Sequence, residues 1–117
     1  RPKHKQLQDS LRKLGKMRGY IVKINCSIGG GYRPDVLWYK LDPAKHPQAG
    51  AHVAFEIEFG ESAALSKSLA SLKHAHDLWG GVKLYLFVPK TIGPALIHDL
   101  AVSAVWLTVP FMRFKGT

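Results

Sequence analysis

The chain is poor in cysteine and poor in acid. Its single cysteine, Cys26, allows no internal disulfide and no all-cysteine zinc site. One thiol suits a reducing compartment, so the cytoplasm is the expected location. Long apolar runs are missing as well. The longest, such as "AVSAVWLTVPF", falls short of the roughly 20 residues that a membrane helix needs, and no stretch reads as a secretory signal. Internal repeats, low-complexity tracts and linkers rich in Pro, Gly or Ser are also lacking. With 46% hydrophobic and 21% charged residues, the sequence reads as a single folded domain over residues 1–117, with no membrane partner.

The shortage of acid is uneven. Seventeen Lys and Arg face eight Asp and Glu, for a formal net charge of +9. Arg1, Lys3, Lys5, Arg12, Lys13, Lys16, Arg18 and Lys23 crowd the first 23 positions, where Asp9 is the single acid. Such a field attracts nucleic acid, anionic lipid or an acidic protein; a solubilising surface accounts for it equally well. The three glutamates, Glu56, Glu58 and Glu61, all fall within "HVAFEIEFGES".

Periodicity places these groups on elements. Leu7, Leu11, Leu14 and Met17 recur at helical spacing from Lys5 to Arg18, and Gly19 is placed to end that helix in a left-handed cap. "YIVKINC" and "DVLWY" read as strands around the glycine-rich loop "SIGGGYRPD". A longer loop leads to a third strand, "HVAFEIEFG". Residues 61–80 then carry Leu65, Leu69, Leu72 and either Ala75 or His76 on one helical face, before Gly80 and Gly81. "VKLYLFVP" has the continuous apolar content of a buried parallel strand. "IGPALIHDLAVS" reads as a short helix and "AVWLTVP" as a last strand. The predicted class is α/β, a mixed sheet flanked by helices in the order α-β-β-β-α-β-α-β.

In the third strand Val53, Phe55, Ile57 and Phe59 alternate with Ala54, Glu56 and Glu58. Two carboxylates one residue apart on a strand face repel, so they need solvent, a cation or a metal ion. A solvated face is the plain alternative. "YRPDVLWY" adds Asp35, 21 residues ahead of Glu56, which a hairpin can bring beside it. Asp35, Glu56 and a backbone carbonyl near Ile57 would offer hard oxygen ligands of the kind magnesium prefers.

Pro34-Asp35, a gap of twenty and Glu56-Ile57-Glu58 resemble the motif of the PD-(D/E)XK nuclease superfamily. The arrangement is most similar to the archaeal Holliday junction resolvases and related small restriction-endonuclease-like nucleases. The resemblance spans nearly the whole chain, from the basic first helix ending in "RGYIVK" through the acidic strand to "VKLYLFVP". It implies a restriction-endonuclease-like fold and metal-dependent cleavage of DNA, with structured or branched DNA as substrate. Asp35 and Glu56 would bind Mg (or Mn), and Glu58 would occupy the motif's usual lysine position. A glutamate there supplies no positive charge, but it can act as a general base or bind a second ion. Accessory candidates are Asp9, or Gln8 as a weakened form, from the first helix, and Lys67 or Lys73 from the next. Their plain alternatives are a macrodipole partner for Asp9 and solvated lysines. Lys5, Arg12, Lys13, Lys16 and Arg33 are the candidate DNA contacts. Paired cuts by so small a chain imply a homodimer. The alternative function is a catalytically inactive module of the same fold that binds nucleic acid or a protein partner.

Other candidates carry plainer readings. His74 and His76, two apart on a helix, face different directions and lack cysteine partners, which disfavours zinc. Trp38, Tyr39, Trp79 and Trp106 read as packing residues, Glu61 and Ser62 as a first-turn acid and N-cap.

Overall fold

Gly19 ends the first helix as its sequence position implies. Its φ of 86° is left-handed, its N–H donates to the Lys16 carbonyl at 3.0 Å, and the Tyr20 N–H reaches back to the Gly15 carbonyl at 2.9 Å. This bonding pair satisfies two of the carbonyls that a helix end would leave bare. The computed structural model describes residues 2–59, 62–89 and 111–114. In chain order these form α1 (Pro2–Met17), β1 (Ile21–Ile24), β2 (Val36–Tyr39), β3 (Val53–Ile57), α2 (Ser62–Leu78), β4 (Lys83–Pro89) and β5 (Phe111–Phe114).

The strands lie side by side in sequence order in one mixed sheet. β1–β2 and β2–β3 pair antiparallel; β3–β4 and β4–β5 pair parallel. The expected hairpin-rich start and parallel continuation are both present. The expected helix at 92–103 and strand at 104–110, with Trp106, lie outside the described residues, as does Glu61. β5 falls immediately after that strand's expected span.

Strand alternation builds two cores, one on each sheet face. Leu11 of α1 packs with Val36, Trp38, Val53, Phe55 and Ile57. On the other face Leu65, Leu69, Leu72 and Ala75 of α2 cover Leu37, Ala54, Leu84, Leu86 and Val88. Ala75, not His76, completes the inward face of α2. Trp38 and Tyr39 are buried as expected. Between two helical layers, β2 and β3 are buried along their whole length. Glu56 therefore lies inside a layered core, and the solvated-face alternative for it fails.

The inward face of α1 differs from the one its leucines suggest. Leu11 and Gln8 are buried, whereas Leu14 is 38% exposed and Met17 83% exposed. The helix is rotated so that residues 4, 8, 11 and 15 face the sheet. Trp38 explains the rotation. Its indole N–H donates to the Leu11 carbonyl at 3.1 Å, and a Cβ at Gly15 would overlap the indole ring. Tyr20 stacks on the same ring at 5.1 Å and Phe55 meets its edge at 4.6 Å, so the indole cannot yield. Close approach at Gly15 outweighs the apolar periodicity.

Candidate active site

The hairpin register sets the two central acids opposite each other. Val36 pairs with Phe55, so the next pair outward is Asp35 with Glu56. The Asp35 main chain is fixed by two contacts: its carbonyl accepts from the Asn25 N–H at 3.3 Å and from the Gln8 side-chain amide at 2.9 Å. Its carboxylate is fixed as well. Oδ2 accepts the Ile57 N–H at 2.7 Å, and Oδ1 lies 3.2 Å from His4 Nε2. Glu56, 7% exposed, accepts the Ser71 hydroxyl proton at 2.8 Å from α2. The two carboxyl groups also hydrogen-bond each other.

Two carboxyls in contact within a core cannot both stay charged at ordinary cost. Burial, followed by the neighbouring Asp35 charge, pushes Glu56 up to about 9. Burial also raises Asp35, against the lowering effects of the Ile57 amide and His4. Without a cation nearby, both shifts favour a protonated carboxyl within the pair. Among the described residues, no group of three His, Cys, Asp or Glu side chains could hold a metal ion alone.

Open space adjoins the pair on two sides. A cleft of about 550 Å³ runs between the glycine loop and α2, lined by Gly30, Gly31, Tyr32 and Arg33, by Glu56 and Glu58, and by Lys67, Ser68, Ala70 and Ser71. A smaller recess of about 340 Å³ is bounded by His4, Asp35 and residues 56–59. Glu56 and Glu58 line both.

Of the predicted residues, the fold gathers Asp35, Glu56, Glu58, Lys67 and Arg33 around these spaces. Lys73 points elsewhere and pairs with Asp77 at 2.7 Å, one turn along the exposed side of α2. Asp9 is half exposed and lies 3.9 Å from Arg12. The residue that α1 contributes beside the acids is Gln8, together with His4. Lys5, Lys13 and Lys16 are exposed on α1, and Arg12 is partly so. They occupy the helical layer across the sheet from the cleft. His74 and His76 diverge as expected, His74 toward the Ile28 carbonyl and His76 toward Asp77.

Sequence reasoning missed His4 and Ser71. The signal for His4 was the stripe His4, Gln8, Leu11, Gly15 at helical spacing, overshadowed by the leucines. Comparison of the chain with protein-family models, curated proteins and solved structures returned no match.

Proposed function

We propose that the protein is a metal-dependent nuclease of restriction-endonuclease-like fold. It acts on DNA phosphodiesters, at structured or branched sites, as a homodimer. One observation carries this reading: Asp35 and Glu56 face each other from adjacent antiparallel strands, and Glu56 lines both the recess beside Asp35 and the cleft that holds Arg33 and Lys67. The acids supply negative charge for an ion, and the two basic side chains supply positive charge for a phosphate.

The donor set fits magnesium or manganese. Two hard carboxylate oxygens, with room beside them for water and phosphate, match an ion that keeps several waters. The positive charge that the buried pair lacks is the charge such an ion carries. Bound by Asp35 and Glu56, it would polarise a phosphodiester and lower the pKa of a bound water. The chain's own groups prepare the site. Ile57 and His4 fix the Asp35 carboxylate, and Ser71 fixes that of Glu56. Arg33 and Lys67 meet the phosphate charge, with Lys67 standing in for the motif lysine. Glu58, in the lysine's position, accepts the proton of the attacking water.

Incubation with linear, flapped and four-way junction DNA, with and without Mg or Mn, tests the reading. Cleavage should require the metal and disappear in Asp35→Ala and in Glu56→Ala, while DNA binding persists. Cleavage surviving in both variants would defeat the assignment.

A second reading has support in Glu58 and in the burial of Glu56. A remnant of the fold that has lost its lysine would bind nucleic acid without cutting it. An inactive wild-type chain that gains metal-dependent cleavage as Glu58→Lys would identify this case.

A further inference from the structure

The loop that forms one wall of the cleft is glycine at its tip, yet it is anchored. Gly29, Gly30 and Gly31 all have positive φ, at 87°, 64° and 79°, a run that only glycine adopts readily. Left alone, three such residues would sample many conformations, and Arg33 beyond them would have no fixed position. Two contacts with α2 restrict them. The Tyr32 ring stacks on the His74 ring at 4.8 Å with a 28° tilt. His74 Nε2 lies 3.1 Å from the Ile28 carbonyl, which can only accept, so Nε2 carries the proton. Ile28 and Tyr32 are themselves joined, the Ile28 N–H donating to the Tyr32 carbonyl at 3.0 Å. One histidine thus holds both ends of the glycine tip. Gly30 lies against the same two rings, where a Cβ would stand 3.1 Å from Tyr32 and 3.2 Å from His74.

We propose that Tyr32 and His74 form a latch that fixes the glycine loop to α2 and thereby positions Arg33 to bind a substrate phosphate beside the carboxylate pair. His74 is a positioning residue: it acts through the loop and touches no reacting atom. The proposal rests on the nuclease reading for its substrate, but the latch itself is a property of the free protein. Preordering the loop removes an ordering cost at the moment of binding, so its loss appears in KM and leaves kcat nearly unchanged.

Two measurements test it. In hydrogen exchange on the protein without DNA, His74→Ala should expose the Ile28 and Tyr32 amides, while Tyr32→Phe, which keeps the ring stack, should leave them protected. In cleavage of a four-way junction DNA with Mg, His74→Ala and Tyr32→Ala should each raise KM on the order of tenfold with kcat little changed, and Tyr32→Phe should behave as wild type. Because the latch acts through Arg33, the double variant His74→Ala/Arg33→Ala should be no worse than Arg33→Ala alone. Unchanged exchange in His74→Ala would overturn the latch, and additive effects in the double variant would overturn its link to Arg33. A wild-type chain that neither binds nor cuts DNA, yet loses protection in His74→Ala, would sink the nuclease reading and the phosphate role while leaving the loop anchor in place.

Discussion

At the residue scale the protein turns on a pair of neighbouring carboxyls held in the core, Asp35 and Glu56. Glu56 is held near 9 against an ordinary 4.5, chiefly by burial and next by the Asp35 charge. A folded-state pKa raised above the unfolded value gives stability that is fully present below the unfolded pKa and fades as pH rises through the folded one. The window therefore opens near pH 4.5 and closes near pH 9. The raised Asp35 acts in the same direction, and His4 and Glu58 are the other titratable groups that face the pair. In chelator, the melting temperature of the wild-type protein should fall across that window. Glu56→Gln, which cannot ionise, should flatten the fall and melt higher than wild type at the alkaline end. Adding Mg at alkaline pH should raise the wild-type melting temperature by a few degrees, since an ion bound only to the folded state stabilises it by mass action. Glu56→Gln should respond less. Equal pH profiles for the two proteins, followed by circular dichroism, would show that the carboxyls are not in contact. Asp35 and Glu56 were legible in the sequence because strand alternation and a hairpin leave few registers. His4 was not legible, because its approach to Asp35 depends on how α1 is turned about its own axis.

That turn is decided at the scale of elements. Two stripes compete on α1: the apolar Leu7, Leu11 and Leu14, with Met17 beyond, against the mixed His4, Gln8, Leu11 and Gly15. Hydrophobic count favours the first, yet Leu14 and Met17 face outward. A sequence shows the missing side chain at Gly15 as a weak helix position, because glycine costs about 1 kcal/mol relative to alanine there. It cannot show the Trp38 indole that requires the gap. Propensity alone makes Gly15→Ala stabilising. The structure gives the opposite sign, since the added methyl would overlap an indole pinned by Tyr20, Phe55 and the Leu11 carbonyl. Gly15→Ala should destabilise the fold by about 1–3 kcal/mol, the usual cost of overpacking, in urea or thermal unfolding. It should also disturb the Gln8 and His4 contacts to Asp35, and so weaken the Mg effect on melting. By contrast, the inward leucines of α2 were legible, because Leu65, Leu69 and Leu72 meet an apolar sheet face, whereas the choice between Ala75 and His76 stayed open and the buried Ser71 went unread.

At the scale of the whole molecule, two of the basic sets that make up the charge of +9 stand on opposite faces of the sheet. Arg33 and Lys67 line the cleft beside α2, while Lys5, Arg12, Lys13 and Lys16 lie on α1, across the sheet. Among the described residues, no helix is long and apolar enough to cross a membrane. The sequence made the excess charge plain but could not show this division, because it depends on which face each helix covers. α1 and α2 cover opposite faces of the sheet, so the two basic sets stand on opposite sides of it. On the nuclease reading proposed above, a duplex seated over the cleft would meet Arg33 and Lys67, and the outward face of α1 would be left for a second arm of a branched DNA. Each phosphate neutralised releases counterions, and the slope of log affinity against log salt changes by about 0.9 per contact. On linear duplex, Arg33→Ala/Lys67→Ala should therefore reduce the slope by about 2 contacts' worth, and Lys13→Ala/Lys16→Ala should leave it nearly unchanged. On a four-way junction both double variants should lower it. Fluorescence anisotropy over a salt series reads both substrates. If the α1 variant weakened linear duplex as much as the cleft variant does, the two basic surfaces would be serving one arm. The cleft would then no longer be the place where that arm is gripped.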